Sequence, residues 1–167
     1  MKRGISGAPI PKGLPFAAEI SEACAKYDFP PCLAYAIRQN ETDSGTDPAV
    51  MQIGSVGDFM PDGSNAGHGE FQLTSSWPSS SNPDQNWSDP LANAMYALEV
   101  FLVPAWEFWT SNTDLQGNDL VRAISSSFNA GLQQSWQWHL EGNVDAGTTN
   151  GYGARALANY ITLTTAG

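Results

Sequence analysis

Basic side chains are scarce in this chain. Seven Lys and Arg stand against seventeen Asp and Glu, for a net charge of −10 and a sequence pI near 4.3. Past Lys26 the only Lys or Arg residues are Arg38, Arg122 and Arg155. Without a basic stripe to track phosphates, nucleic acid is not expected as a partner. Cysteine is nearly absent too. Cys24 and Cys32 are too few for a disulfide scaffold and carry no metal-ligand spacing, so no metal and no cofactor are expected. They flank the loop between two predicted helices, where a bridge and a pair of reduced buried thiols both fit, and the compartment stays open. No apolar run is long enough to span a bilayer, so membrane insertion is not expected. Met1-Lys2-Arg3 leads into Gly4-Ile5-Ser6-Gly7-Ala8-Pro9, which is no apolar signal core. No Ser, His and Asp stand in the sequence context of acyl transfer.

What the chain does have points to a polar, uncharged ligand. Its 167 residues suit one domain with a sizeable core, expected to work as a monomer. Only 14% are charged, while Gly, Ser, Asn and six Trp are prominent. Indole faces stack on sugar rings, and amides bond sugar hydroxyls, so a carbohydrate fits this composition. Trp can equally be plain core.

Residues 1–14 read as an extended Gly/Pro-rich arm, and 15–167 as a single domain. Pro15 suits the first turn of a helix over Phe16 to Tyr27. Phe29-Pro30-Pro31 breaks it, and a second helix runs from about Pro31 to Asn40. Loop chemistry follows, with short strands expected around Val50-Met51-Gln52-Ile53 and Glu70-Phe71-Gln72-Leu73. A Pro/Ser/Asn-rich loop fills Ser75 to Ser88. Asp89-Pro90 reads as an N-cap with Pro at the first helical position. The helix after it carries Leu91, Met95, Leu98, Phe101 and Leu102 at helical spacing, and Pro104 is expected to end or kink it. Further helices are predicted near Asp119–Asn129, Gln133–Leu140 and Tyr152–Thr162. The class is mainly α (α+β), with a small β element inserted after the second helix.

Glu41 is the leading candidate for chemistry. It ends the apolar run Leu33-Ala34-Tyr35-Ala36-Ile37-Arg38-Gln39-Asn40 and opens into Thr42-Asp43-Ser44-Gly45-Thr46. A carboxyl set half in a core and half in a cleft has its pKa raised by burial, as a general acid requires.

Four segments, in order, resemble the lysozyme-like superfamily of peptidoglycan glycosidases, nearest to goose-type lysozymes and soluble lytic transglycosylases. Ala36-Ile37-Arg38-Gln39-Asn40-Glu41-Thr42 is similar to the helix that ends in their catalytic Glu. Gly67-His68-Gly69-Glu70-Phe71-Gln72-Leu73-Thr74 looks like their glycine-led strand with an embedded Met-Gln. Ser127-Phe128-Asn129-Ala130-Gly131 resembles their Tyr-Asn-Ala-Gly. Gly151-Tyr152-Gly153-Ala154-Arg155-Ala156-Leu157-Ala158-Asn159-Tyr160 resembles their last Tyr-containing helix. Each motif is weak alone, but the four in sequence cover residues 16 to 161. The chain departs from the pattern at Thr42 (Ser in the family), at Asn40 before the Glu, at Phe71 (Met) and at Phe128 (Tyr). The last change removes a hydroxyl that the family points at its Glu.

The resemblance implies a lysozyme-like fold: a helical bundle with a small β element after the catalytic-Glu helix. The implied activity is cleavage of the β-1,4 bond between N-acetylmuramic acid and N-acetylglucosamine, with Glu41 protonating the leaving oxygen. An inverting hydrolase needs a second carboxylate for water. Asp62 is the candidate by position, with Asp58 and Asp43 as rivals and a turn-forming Asp in Pro61-Asp62-Gly63 as the structural alternative. Thr74 stands at the family's other acidic position. Without a second carboxylate the substrate's own N-acetyl group would complete the site, giving the 1,6-anhydro product of a lytic transglycosylase. Gln72, Asn129, Tyr152, His68, Thr42 and Thr74 are the expected substrate-binding set. Asn129 could instead cap its helix, with Gly131 closing it, and Tyr160 and His139 read as structural. A chitinase acting on β-1,4 N-acetylglucosamine polymers is the rival activity, and a non-catalytic sugar-binding module is the third reading. An enzyme of this kind would act at the cell wall, periplasmic or extracellular, brought there as a phage endolysin or virion enzyme or by a leader since removed.

Overall fold

The computed structural model describes residues 3–42, 67–74 and 89–166. The molecule is mainly helical. In order come α1 (Ala17–Tyr27), α2 (Pro31–Thr42), α3 (Pro90–Ala97), α4 (Val103–Asn112), α5 (Gly117–Ala130), α6 (Leu132–Leu140) and α7 (Tyr152–Thr165). Between α2 and α3, a two-residue antiparallel ladder joins β1 (Gly67–His68) to β2 (Leu73–Thr74), pairing Gly67 with Thr74 and His68 with Leu73. Glu70, Phe71 and Gln72 form the turn that the ladder closes rather than the strand expected there. The strand expected around 50–53 lies outside the described residues. Among the described residues no helix is long and apolar enough to cross a membrane.

Helix α2 is the central element. From Cys32 to Ile37 every side chain is buried, so this stretch is apolar all round, and α2 packs against α7, α1 and α5. Burying Leu33, Tyr35 and Ile37 contributes roughly 1.5–3 kcal/mol each. Helix α5 is amphipathic. Leu120, Val121, Ala123 and Ile124 enter the core, and Gly131 ends the helix at φ +85°, a backbone angle glycine adopts without strain. Helix α3 packs on α1. Its start matches the sequence reading: Asp89 Oδ1 accepts the Ala92 N–H at 2.8 Å, and Pro90 takes the first position, where no N–H is needed.

Pro104 does not end the helix. One turn, Leu98–Leu102, widens to π geometry, with the Val103 N–H donating to the Leu98 carbonyl, and α4 then runs on to Asn112. Proline cannot donate an N–H, and its ring crowds the preceding turn. The wide turn accommodates both. The N-terminal arm is docked. Ile5 and Ile10 are buried, the Ser6 N–H donates to Tyr160 Oη at 2.7 Å, and Arg3 caps the end of α4 on the Thr110 and Thr113 carbonyls. Cys24 and Cys32 are free thiols in the core. Burial and the neighbouring Cys32 push Cys24 up to about 12, and burial raises Cys32 as well.

Candidate active site

Glu41 sits in the last turn of α2, one residue before the helix ends. Its carboxyl is half-buried, and a cleft of about 590 Å³ opens on it. Gln72 from the ladder turn and Asn129 from the end of α5 line the same cleft, although the three residues are far apart in sequence. Phe101 and Phe128 supply apolar walls, with ring centroids 5.7 Å apart in an edge-to-face pair. The π turn carries Val100 and Phe101 to the cleft, and Pro104 follows on the same side.

Burial raises the Glu41 carboxyl to about 7. Two contacts work against that rise: the Tyr152 hydroxyl donates to Glu41 Oε1, and the Arg155 cation favours the ionised form. Burial dominates, so the group keeps its proton close to neutrality while still facing the cleft. Burial beside Glu41 also raises Tyr152 well above the usual tyrosine value, and its ring is almost fully covered. Phe128 has no hydroxyl to offer Glu41; the hydroxyl at Glu41 comes from Tyr152.

The register that makes this contact is set by amides. Asn40 Nδ2 donates to the Tyr152 carbonyl at 2.9 Å. Asn159 Nδ2 donates to Asn40 Oδ1 at 3.1 Å and to the Ala36 carbonyl at 3.4 Å. These bonds tie α2 to α7 one residue before Glu41. Asn40 therefore has a structural task.

The two cleft amides are each half engaged. Gln72 Nε2 donates to the Gly69 carbonyl at 2.8 Å, which leaves its amide oxygen as an acceptor. Asn129 Oδ1 accepts the Thr149 N–H at 3.0 Å, which leaves its amide nitrogen as a donor. Asn129 caps no helix end. Gln72 has φ +48°, a strained angle for a side-chain-bearing residue. The turn is held by Asn93, whose Oδ1 accepts the Phe71 N–H at 3.1 Å. Gly69, at φ +72°, lies so close that any Cβ there would collide with the Asn93 amide.

The other expected residues divide into those the structure places away from the cleft and those whose side chains lie outside its description. Thr42 is buried and turns its hydroxyl back to the Arg38 carbonyl at 3.1 Å, so it does not line the cleft. Tyr152 acts on Glu41 from behind rather than from the cleft wall. Tyr160 is core, and His139 packs against Trp109 and Trp136. His68 and Thr74 contribute ladder backbone. Asp62, Asp58 and Asp43 lie outside the described residues. Of Trp106, Trp109, Trp136 and Trp138, none lines the cleft. Among the described residues no cluster of His, Cys, Asp and Glu could hold a metal ion.

Glu70 was not singled out by its sequence context. It is fully buried within electrostatic reach of Arg38, and among the described residues neither of its carboxyl oxygens has a hydrogen-bond partner. Burial pushes it up to about 9, with Arg38 opposing. Nothing in Gly69-Glu70-Phe71 signals this, because a Glu in a glycine-flanked turn normally faces water. No protein-family model matches the chain, and no curated protein sequence matches it either.

Proposed function

We propose that this chain is a glycosidase of lysozyme-like fold that cleaves β-1,4 bonds next to N-acetylated sugars in peptidoglycan, with Glu41 as the general acid. The observation that carries the reading is a carboxyl raised to about 7 at a cleft that also presents one amide acceptor and one amide donor left free among the described residues. An acetamido group has one N–H and one C=O, and Gln72 and Asn129 complement the two. Protonation of the glycosidic oxygen by Glu41 would leave an oxocarbenium-like centre. Water positioned by Asp62 would then give a reducing end. Attack by the substrate's own acetamido oxygen would lead instead to a 1,6-anhydro end. Such an enzyme would act at the bacterial cell wall.

The amide pair suits any N-acetylhexosamine, and the acidic net charge suits a neutral polymer, so chitin is the second substrate to test. The experiment is digestion of purified peptidoglycan and of chitin oligomers by the wild-type protein and by Glu41→Gln, with product masses read out. Cleavage that disappears in Glu41→Gln supports the reading. Absence of cleavage of both polymers by the wild-type protein refutes it, and equal cleavage by both proteins refutes the role of Glu41.

A further inference from the structure

The Glu41 cleft is not closed at Gly131. A second groove of about 650 Å³ adjoins it, and residues 130–132 line both. The rest of its lining is Gln133, Gln134, Trp136 and Gln137, from the first two turns of α6. Its volume lies within the range of small-molecule sites, about 300–1,000 Å³.

The local sequence decides which side chains meet the groove. Gly131, at φ +85°, turns the chain from the end of α5 straight into α6. Ser135 is buried, and its hydroxyl bonds that of Ser126 at 3.0 Å, which pins the inner face of α6 to α5. The exposed side then falls to Gln133, Gln134 and Gln137. A solvated helix face normally carries charge, yet Leu132 to Leu140 holds no Lys, Arg, Asp or Glu. It carries amides instead. Among the described residues Gln133 and Gln134 make no side-chain hydrogen bond. Gln137 Nε2 donates to Glu141 Oε1 at 2.9 Å, which leaves its amide oxygen as an acceptor.

Trp136 completes the lining. It is half-buried, with its ring wedged against Phe108, Trp109 and His139 at 5.2, 5.6 and 5.5 Å between ring centres. The indole is therefore fixed before any ligand arrives, and the remainder of its surface lines the groove. A fixed indole beside three amides, with no charge among them, suits an uncharged sugar. The indole covers the apolar C–H surface of the ring, and the amides bond its hydroxyl and acetamido groups.

We propose that the groove along α6 is a second saccharide site, taking the neutral sugar units of a glycan chain that run on from the Glu41 cleft past the Gly131 turn. The inference rests on the glycosidase reading for what fills the cleft, and adds where the rest of the chain is held.

The test is calorimetric titration of a Glu41→Gln protein, in which turnover is removed, with chitotriose and with chitohexaose. The trimer is short enough to sit in the cleft alone. The hexamer should bind at least about tenfold tighter, equivalent to about 1.4 kcal/mol. Adding Gln133→Ala and Gln134→Ala together should bring the hexamer to within about threefold of the trimer and leave the trimer unchanged. Both sites are exposed and Ala favours a helix, so this variant keeps the fold. Trp136→Phe, which retains an aromatic ring in the packing, should weaken the hexamer alone as well. Equal weakening of both oligomers, an unaltered hexamer, or no advantage of the hexamer in the starting protein overturns the inference. Digestion of peptidoglycan and chitin by the wild-type protein, run alongside, tests the glycosidase reading separately. Cleavage without a hexamer advantage removes the groove and keeps the glycosidase. A hexamer advantage that the amide variant loses, without cleavage of either polymer, removes the glycosidase and keeps the groove as a sugar site.

Discussion

Replacing Glu70 with Gln should flatten the pH dependence of stability. In the folded chain this buried carboxyl holds its proton up to about pH 9, against an ordinary value of 4.5. Between those two values the folded state binds a proton that the unfolded state has released. Stability therefore falls as pH rises, by at most about 1.4 kcal/mol per pH unit. From pH 4.5 to 7 the loss reaches about 3 kcal/mol, with the opposing pull of Arg38 already counted in the value of about 9. Glu41, raised to about 7, contributes with the same sign over a shorter window. A Glu41→Gln background isolates the Glu70 part. Glu70→Gln conserves volume and removes the charge, so the two proteins should be within about 1 kcal/mol of each other at pH 5. By pH 7 the Gln variant should be the more stable, by up to about 3 kcal/mol. Urea unfolding followed by tryptophan fluorescence at pH 5, 6, 7 and 8 measures this directly. Parallel curves for the two proteins across that range would refute the reasoning, because Glu70 would then be ionised and fully compensated in the fold.

Four other outcomes are expected. Glu41→Gln should cut glycan cleavage by at least about 10²-fold with the fold intact, checked by circular dichroism beside the activity assay. Wild-type activity should fall as pH rises through about 7, the value at which Glu41 loses its proton. Tyr152→Phe removes a hydrogen bond to ionised Glu41 and should move that alkaline limb upward, read from the pH profile of kcat. Asp62→Asn should lower the reducing-end product by more than about tenfold, about 1.4 kcal/mol in the barrier. Unchanged rates with 1,6-anhydro ends from both proteins would assign that step to the substrate's acetamido group instead.

The sequence by itself determined the helical class, most of the helix positions and the place of Glu41. Those features are local. An apolar run such as Leu33–Ile37 can only be buried, Asp89-Pro90 can start a helix without help, and a glycine after Asn129-Ala130 ends one. The docked arm and the continuation past Pro104 were not legible, because each depends on partners distant in sequence. Arg3 needs the carbonyls at the end of α4, and Pro104 needs the wide turn that precedes it. The site divides in the same way. Local context placed Glu41 on the candidate list, and the motif resemblance added Gln72 and Asn129. Only the tertiary structure turned Gln72 into an acceptor and Asn129 into a donor, by engaging the other half of each amide. It also buried Glu70, turned Thr42 away from the cleft and gave Glu41 a hydroxyl partner from α7. Proton affinity and hydrogen-bonding capacity are set by what surrounds a group in space, and for Glu41 those surroundings are Tyr152 and Arg155, more than a hundred residues further along the chain.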